Sequence, residues 1–256
     1  MKRILIILAL LLVISLLPQQ ANFPTNIQEK FKPMSLEHPL GTDYLGRDLF
    51  KLMSFGFKRS AEAVLIASVF ALSLGLLAGL YAGYKGGIAL AVLEFFANLG
   101  LILPSFIVAL IISAYFGFTP LTIGLSLGLF DLSAYAIQVA TLTRKVKEEE
   151  FILMSQLLGL SKWRILKRHI FHHIFEPVSA LFANKASSIV LRYASLAFLG
   201  LGADVTKPDW GMLLYEYRIY FIDQPQLLLW PSLGIFAFCL FFHLLFDRKE
   251  VFKGAL

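Results

Sequence analysis

The one long charged stretch of the chain reads EEEFILMSQLLGLSKWRILKRHIF and covers residues 148–171. It lies between two apolar runs, so we interpret it as a loop between two membrane spans. Seven basic residues lie between positions 144 and 168, at or just before this stretch: Arg144, Lys145, Lys147, Lys162, Arg164, Lys167 and Arg168. Basic loops stay on the cytoplasmic side of a membrane, and we therefore expect this loop to face the cytoplasm.

Two short helices are predicted within this loop. The first has apolar residues at helical spacing: Phe151, Met154, Leu157 and Leu158. Gly159 interrupts that pattern, and Ser161 is a candidate N-cap for the second helix. Two short helices joined at a glycine would make a docking element at the membrane surface. A solvated loop with an interfacial basic helix is the alternative.

The composition is that of an integral membrane protein. The chain has 256 residues, of which 58% are hydrophobic and 16% charged, and its mean hydropathy is +0.73. Soluble domains are about 45–50% apolar and about 25% charged. Long apolar runs favour membrane helices over a barrel. Basic residues on the cytoplasmic side explain the net charge of +6 without nucleic acid.

Chemistry-bearing motifs are missing from the sequence. It contains no GxxxxGK[ST] phosphate loop, no HExxH and no GxSxG. The single cysteine, Cys239, excludes an intramolecular disulfide and argues against a thiolate metal site. We expect no enzymatic activity, no metal and no cofactor in this chain. If ATP is used, another chain must bind it.

Six membrane spans are predicted, at residues 4–17, 61–84, 101–116, 121–141, 177–201 and 227–246. Residues 88–99 form a further helical piece of the same apolar run as the third span, which is too long for one straight span and is divided by Pro104. The first span follows Lys2 and Arg3 and is short, so it is either a signal peptide or, as we prefer, an uncleaved anchor. Thirteen basic residues then lie inside and eight outside, which supports an orientation with both termini in the cytoplasm. The central loop decides this orientation, because it is short and has the highest density of basic residues.

Two external segments carry turn signals. Residues 18–60 contain HPLGTDYLGRD at positions 38–48, and residues 200–226 contain PDWG at positions 208–211. His38, Asp43 and Asp48 could bind a metal, but we favour a structured loop. His169, His172 and His173 could do the same, but so many basic residues surround them that a basic helix end is the better interpretation.

Charged residues also fall inside predicted spans. Asp131 lies in the fourth span, whereas Lys185 and Arg192 are seven residues apart and so share one face of the fifth. Charges inside a span usually face the interior of the bundle or a water-filled cavity. The alternative is that the two cations pair with Asp131 or Glu94, or that their side chains reach the membrane interface. We favour Arg192 as the residue that faces a cavity. Small residues that permit close or sliding helix contacts occur at Gly75, Gly79, Gly124 and Gly128.

Three separated motifs together resemble a known family. The first comprises Gly41, Thr42, Asp43, Gly46, Arg47 and Asp48. The second is an EAA-type loop with Glu150, Phe151, Ile152, Leu158, Gly159 and Ser161, in which Met154 and Ser155 replace the usual pair of small residues. The third runs from Ser195 to Gly202 and on to Trp210 and Gly211. In this order they resemble the inner-membrane permeases of binding-protein-dependent ABC importers, in the dipeptide, oligopeptide and nickel group.

The resemblance implies an all-α polytopic membrane protein with the type I ABC importer permease fold. Residues 1–60 would be an N-terminal anchor helix and the external GTDxxGRD segment. Residues 61–256 would be the transmembrane domain, with a cytoplasmic coupling loop at 144–172. The second motif would then dock an ATPase. The first motif, Trp210 and Gly211 would belong to outer loops that meet a binding protein, and Asp131, Lys185 and Arg192 would line the path.

The resemblance also implies partners. These are a second homologous permease in a heterodimer, two cytoplasmic ATP-binding subunits, an external solute-binding protein and membrane lipid, in a bacterial inner membrane. Peptides are the expected solute, with nickel or a nickel chelate as the alternative. The alternative from another class is a stand-alone channel or secondary transporter, in which Asp131, Lys185 and Arg192 would carry ions or protons.

Overall fold

The computed structural model describes residues 23–200, 204 and 206–246. Within these residues the regular structure is helical, and the only β-type pairing is an isolated bridge between Thr42 and Asp48. The predicted all-α fold is therefore confirmed. The predicted first span at 4–17 and the tail after 246 lie outside the described residues.

Helix α1, Leu49–Lys85, has 37 residues and begins well before the predicted position 61. Asp48 caps it, because its carboxylate accepts a hydrogen bond from the Lys51 main-chain N–H at 2.9 Å. Lysines and an arginine in the first turns made residues 49–60 look like a loop, although Leu49 and Leu52 are buried. The segment that precedes α1 therefore ends at Asp48, and the predicted division at 60/61 falls inside α1.

The next two helices form a bent pair. Helix α2, Gly87–Ile102, and helix α3, Ser105–Phe116, meet at Pro104 with an angle of 77° between them. The predicted break at Pro104 is confirmed. With 12 residues, α3 is too short to cross a bilayer alone. Helix α4, Pro120–Lys147, follows, with Pro120 at its first position and Thr119 as its N-cap.

The loop contains one short helix, α5, Glu150–Leu157. The second predicted helix is not separate. A helical turn at Lys162–Arg164 and a π-helical turn at Ile165–Ile170 run directly into helix α6, Phe171–Phe198. Pro177, predicted to begin this span, lies inside α6. The sequence did not predict this continuous helix because basic residues occur throughout the stretch. Ile165, Ile170 and Ile174 nevertheless point into the protein from one side of the helix.

Two more helices complete the described chain. Helix α7, Trp210–Tyr217, lies in the segment predicted to be a polar external loop, and helix α8, Gln226–Phe246, matches the last predicted span. Three described helices, α1, α4 and α8, are long and apolar enough to cross a membrane, and the bent pair of α2 and α3 passes as a fourth span. Helix α6 has 28 residues but carries charges within it. The protein is polytopic, as predicted.

Helices α1 and α4 form the most extensive contact of the bundle. Their backbones approach so closely that a Cβ atom on Gly79 would lie 2.7 Å from the Ala136 carbonyl oxygen, and one on Gly128 would lie 2.8 Å from that of Ala67. Gly75 and Gly124 lie in the same interface. The predicted close approach is confirmed, and it interlocks the two helices along their length.

Candidate functional site

Residues 26–48, here called the N-terminal knot, fold into a compact unit before α1. Gly41 and Gly46 have φ angles of +82° and +72°, and a Cβ on Gly46 would overlap the Asn26 carbonyl oxygen. Thr42 Oγ1 accepts a hydrogen bond from the Lys32 main-chain N–H at 2.8 Å. Asp48, besides capping α1, lies 2.8 Å from His38 Nδ1. The first sequence motif therefore builds this knot.

A buried ion-pair cluster joins the knot to α7. Arg47 Nε donates to Asp43 Oδ2 at 2.6 Å, and an Arg47 terminal nitrogen lies 2.5 Å from Glu216 Oε1. The Tyr217 hydroxyl donates to Asp43 Oδ2 at 3.1 Å, and burial raises the pKa of Tyr217 well above its ordinary value. Because Asp43 and Arg47 are buried, the surface that the knot offers to a partner consists of other residues, such as Leu36.

Helix α7 is held tightly by its first residues. The Trp210 indole N–H donates to the Met53 carbonyl at 3.0 Å, and a Cβ on Gly211 would overlap the carbonyl oxygen of Ala194. Asp209 caps the helix by accepting from the Met212 N–H at 3.0 Å. Its carboxyl is fully buried, and desolvation raises its pKa above the ordinary value. Trp210 and Gly211 thus act here as packing residues.

The three charges predicted inside the spans come together. Asp131 on α4 is 3% exposed, and its two carboxylate oxygens lie 3.3 Å from Lys185 Nζ and 2.5 Å from an Arg192 terminal nitrogen. The lysine and arginine side chains remain 28% and 20% exposed. Two cations share one carboxylate, so this charge cluster keeps a net positive charge and is partly exposed.

The charge cluster also reaches the bent pair. A terminal nitrogen of Arg192 is 3.4 Å from the Ser105 hydroxyl, at the first residue of α3. The alternative partner predicted for these cations, Glu94, is exposed on α2 and forms none of the ion pairs found among the described residues. Arg192 is thus the residue at which α3, α4 and α6 meet.

Helix α5 is anchored on one side and bare on the other. Ile152 is buried and packs in one apolar cluster with Ile165, Ile170 and Ile174, while the Ser155 hydroxyl donates to the Phe151 carbonyl at 2.7 Å. The opposite side of α5 and its C-cap, here called the α5 apolar face, consists of exposed residues: Met154, Leu157 and Leu158. Trp163, in the helical turn that follows, is also exposed. Leu157 and Leu158 are 81% and 82% exposed. A bare apolar surface of this kind marks an interaction site.

The turn after α5 has the predicted form. Gly159 has a φ angle of +75°, which favours glycine, and nothing lies near the position of a Cβ atom there. Ser161 caps the next turn, with its hydroxyl 3.4 Å from the Arg164 N–H. Glu150 lies in the first turn of α5 and is exposed.

The possible metal sites do not form. Asp43 faces Arg47 and Tyr217 while His38 contacts Asp48, so these three possible ligands do not converge, and the favoured interpretation as a structured loop stands. The His173 ring stacks on Phe151, with 4.9 Å between centroids. In the part of the chain that the structure covers, no group of three or more His, Cys, Asp or Glu residues could hold a metal ion.

Several partners of the predicted residues were not foreseen. Glu216 and Tyr217 complete the cluster around Arg47 although they lie 169 and 174 residues along the chain from their partners. Tyr44 joins them by donating to Glu216 at 2.7 Å. Spacing in the sequence carries no signal for such distant pairs. The only hint is that acidic and aromatic residues follow Trp210 in a stretch that otherwise looks like a loop.

A polytopic helical bundle with a bent helix pair, an internal charge cluster and an exposed apolar loop helix fits a component of a membrane transport system. Residues 75–248 match the family model described as "Binding-protein-dependent transport system inner membrane component". This match covers more than half of the chain. The chain therefore belongs to this family of inner-membrane permeases of ABC importers.

Curated relatives cover most of the chain. It is 33% identical over 218 residues to the glutathione transport system permease protein GsiD of Pectobacterium atrosepticum, covering 83% of this chain and 71% of that protein. It is 28% identical to the dipeptide transport system permease protein DppC of Alkalihalophilus pseudofirmus, covering 91% and 76%. It is also 28% identical to the nickel transport system permease protein NikC of Escherichia coli K12, covering 95% and 89%.

Proposed function

We propose that this chain forms half of the translocation path of an ATP-driven importer of small peptides. The observation that carries the proposal is the α5 apolar face, which is exposed while the opposite side of the same helix is anchored in the bundle. The names of the glutathione and dipeptide relatives support a peptide solute. Because another relative is named as a nickel permease, nickel or a nickel chelate is the alternative solute.

The partners follow from this role. A second homologous permease supplies the other half of the path, two cytoplasmic ATP-binding subunits hydrolyse ATP, and an external solute-binding protein delivers the peptide. This chain contributes no ATPase and no cofactor, and it binds lipid rather than nucleic acid. Both of its termini lie in the cytoplasm, because the basic loop of residues 144–172 is the cytoplasmic coupling loop.

Coupling works as transmission through packed elements. An ATP-binding subunit binds the α5 apolar face. On the other side of α5, Ile152 packs against the buried isoleucines of α6 and of the turn that leads into it. The same cluster includes Val139 of α4. A displacement of α5 therefore moves two spans together, because packed cores shift as units rather than deform continuously.

The charge cluster serves as an attraction point along the path. Its net positive charge favours a carboxylate, and a peptide always carries one at its C-terminus. Arg192 and Lys185 remain partly exposed, so a solute oxygen can approach them without first breaking their contact with Asp131. Ser105 marks the bend between α2 and α3 as one wall of the path.

Reconstitution into proteoliposomes tests the proposal. The chain with its operon-encoded subunits should take up a labelled dipeptide only when ATP and the binding protein are both present. Excess unlabelled dipeptide should compete, whereas nickel should not. Uptake that continues without the ATP-binding subunits would instead support a stand-alone channel or secondary transporter. Competition by nickel alone would assign the alternative solute.

A further inference from the structure

A basic cavity of about 510 Å³ lies where the last turns of α1 and α4 meet the loop. Three lysines line it: Lys85, Lys147 and Lys162. Tyr81 and Tyr84 of α1 line it as well, together with Gln156 of α5 and Leu166. The function proposed above assigns part of this lining to the coupling loop but gives none of these side chains a ligand.

Two of the lysines are held in place by α1. Lys85 Nζ donates to the Tyr81 hydroxyl at 3.0 Å, and Lys147 Nζ donates to the Tyr84 carbonyl oxygen at 2.8 Å. Among the described residues, none of the three lysines forms an ion pair with a carboxylate, and no acidic residue lines the cavity. Like charges gathered in a concave site concentrate their field and attract an anion.

We propose that this cavity binds a phosphate group, supplied by the headgroup of an anionic phospholipid. Lysines and tyrosines at the ends of spans lie at the level of lipid headgroups. Basic pockets between membrane helices on the cytoplasmic side bind such headgroups. A soluble phosphate offers the same chemistry to the three ammonium groups, and the experiment below separates the two sources.

An exposed apolar strip on α1 favours the lipid. Leu74, Leu77 and Tyr81 are 43%, 65% and 60% exposed and follow one face of the helix toward Lys85. An acyl chain lying along this strip would place its headgroup at the cavity. A soluble phosphate would gain nothing from the strip.

Because the cavity lies between the loop and the ends of two spans, a bound lipid would affect how the loop is held. A bound headgroup would bridge Gln156 on α5 to the lysines at the ends of α1 and α4. It would therefore brace the coupling loop against the bundle. This consequence rests on the proposed function, but binding itself does not, because it can be measured without ATP or solute.

Native mass spectrometry of the full chain, purified in mild detergent with its bound subunits, tests the proposal. Phosphatidylglycerol and phosphatidylcholine are added in turn, and retained lipid is counted. The triple variant Lys85→Gln, Lys147→Gln, Lys162→Gln is compared with a control triple on exposed residues outside the cavity: Lys145→Gln, Lys167→Gln, Arg168→Gln. Inorganic phosphate is titrated against wild type and both triples by calorimetry.

The wild type and the control triple should retain phosphatidylglycerol over phosphatidylcholine. Each lost cavity lysine should weaken retention about fivefold, and the cavity triple on the order of 100-fold. Loss of phosphate binding in the cavity triple alone would support the same site with a soluble ligand. Equal behaviour of both triples toward lipid and phosphate would overturn the proposal.

A second variant guards against a folding defect in the cavity triple. Gln156 is exposed, so Gln156→Glu adds a negative charge at the rim without removing packing. It should lower phosphatidylglycerol retention severalfold, whereas Gln156→Asn should leave it unchanged. Retention unaffected by Gln156→Glu would contradict a headgroup in this cavity.

Discussion

Asp209 is a buried carboxyl group that caps α7, and ionising it there is costly. Burial raises its pKa, so this residue favours folding most below the ordinary pKa of aspartate, and the benefit is lost as pH rises through the raised value. An asparagine keeps the cap without a charge. We predict that Asp209→Asn is at least as stable as wild type at neutral pH, whereas Asp209→Ala is destabilised by about 1 kcal/mol.

Thermal unfolding of the purified protein across a pH series measures both effects. Any advantage of Asp209→Asn should shrink toward acidic pH, because the wild-type carboxyl is then protonated. A pH-independent difference between Asn and Asp would show that the carboxyl does not titrate with folding. Glu37, an exposed acidic residue, supplies the control Glu37→Gln, which should leave the unfolding temperature unchanged.

Arg192 has a structural contact and an exposed side, and these two roles can be separated. Arg192→Gln should reduce solute uptake strongly, because it removes the charge that faces the path, while Lys185 still neutralises Asp131. Arg192→Lys should keep part of the uptake. ATP-driven uptake and assembly with the partner permease are measured in parallel.

The double variant Asp131→Asn, Arg192→Gln removes both charges of the closest pair. If Arg192→Gln fails to assemble and the double variant restores assembly and uptake together, the arginine only balances Asp131. Restored assembly without restored uptake would place Arg192 on the path.

At the scale of elements, the turn at Gly159 sets the direction of α5 relative to α6. Proline cannot adopt its φ angle of +75°, and it would also remove the N–H that donates to the Gln156 carbonyl at 3.0 Å. We predict that Gly159→Pro inserts and assembles but loses stimulation of ATP hydrolysis by the binding protein.

Gly117 offers a matched control. Its φ angle is +79° and nothing lies within 4 Å of a Cβ there, as at Gly159, but it joins α3 to α4 far from α5 in the chain. Gly117→Pro should keep stimulated ATP hydrolysis. Normal stimulation and uptake in Gly159→Pro would remove the coupling role from this turn.

Hydrophobic periodicity predicted the helices well where they are apolar, and less well where they carry charge. The break at Pro104, the α5 pattern and the glycine turn could all be read locally. The start of α1 and the leading turns of α6 could not, because lysines and arginines there alternate with buried residues such as Leu52 and Ile165. Asp131, Lys185 and Arg192 could be identified from the sequence because an unpaired charge within a membrane span costs free energy, so such charges need partners.

The partners of the GTDxxGRD motif were beyond sequence reasoning. Its glycines and acidic residues predicted a turn-rich external loop, but its burial depends on Glu216 and Tyr217, which only the tertiary fold brings near. For the same reason α7 was missed: its eight residues are held by Trp210 and Gly211 packing against other helices rather than by local propensity.

At the scale of the whole molecule, the orientation of the bundle can be tested by labelling. With Cys239 changed to Ala, a cysteine at Leu36 should react with an impermeant thiol reagent in spheroplasts, since this side chain is fully exposed on the N-terminal knot. A cysteine at Lys162 should be protected until the membrane is opened. Asp43 is unsuitable because it is buried. Labelling of Lys162→Cys from outside would reverse the proposed topology.

Helix α1 runs unbroken for 37 residues, or about 55 Å, from the N-terminal knot to the lysine cavity. Because it packs closely against α4, we expect α1 to tilt as one rigid unit. If α1 pivots near its middle, a tilt of about 10° moves its two ends about 5 Å in opposite directions. The translocation path would then narrow at one membrane surface and widen at the other in a single motion of the helix.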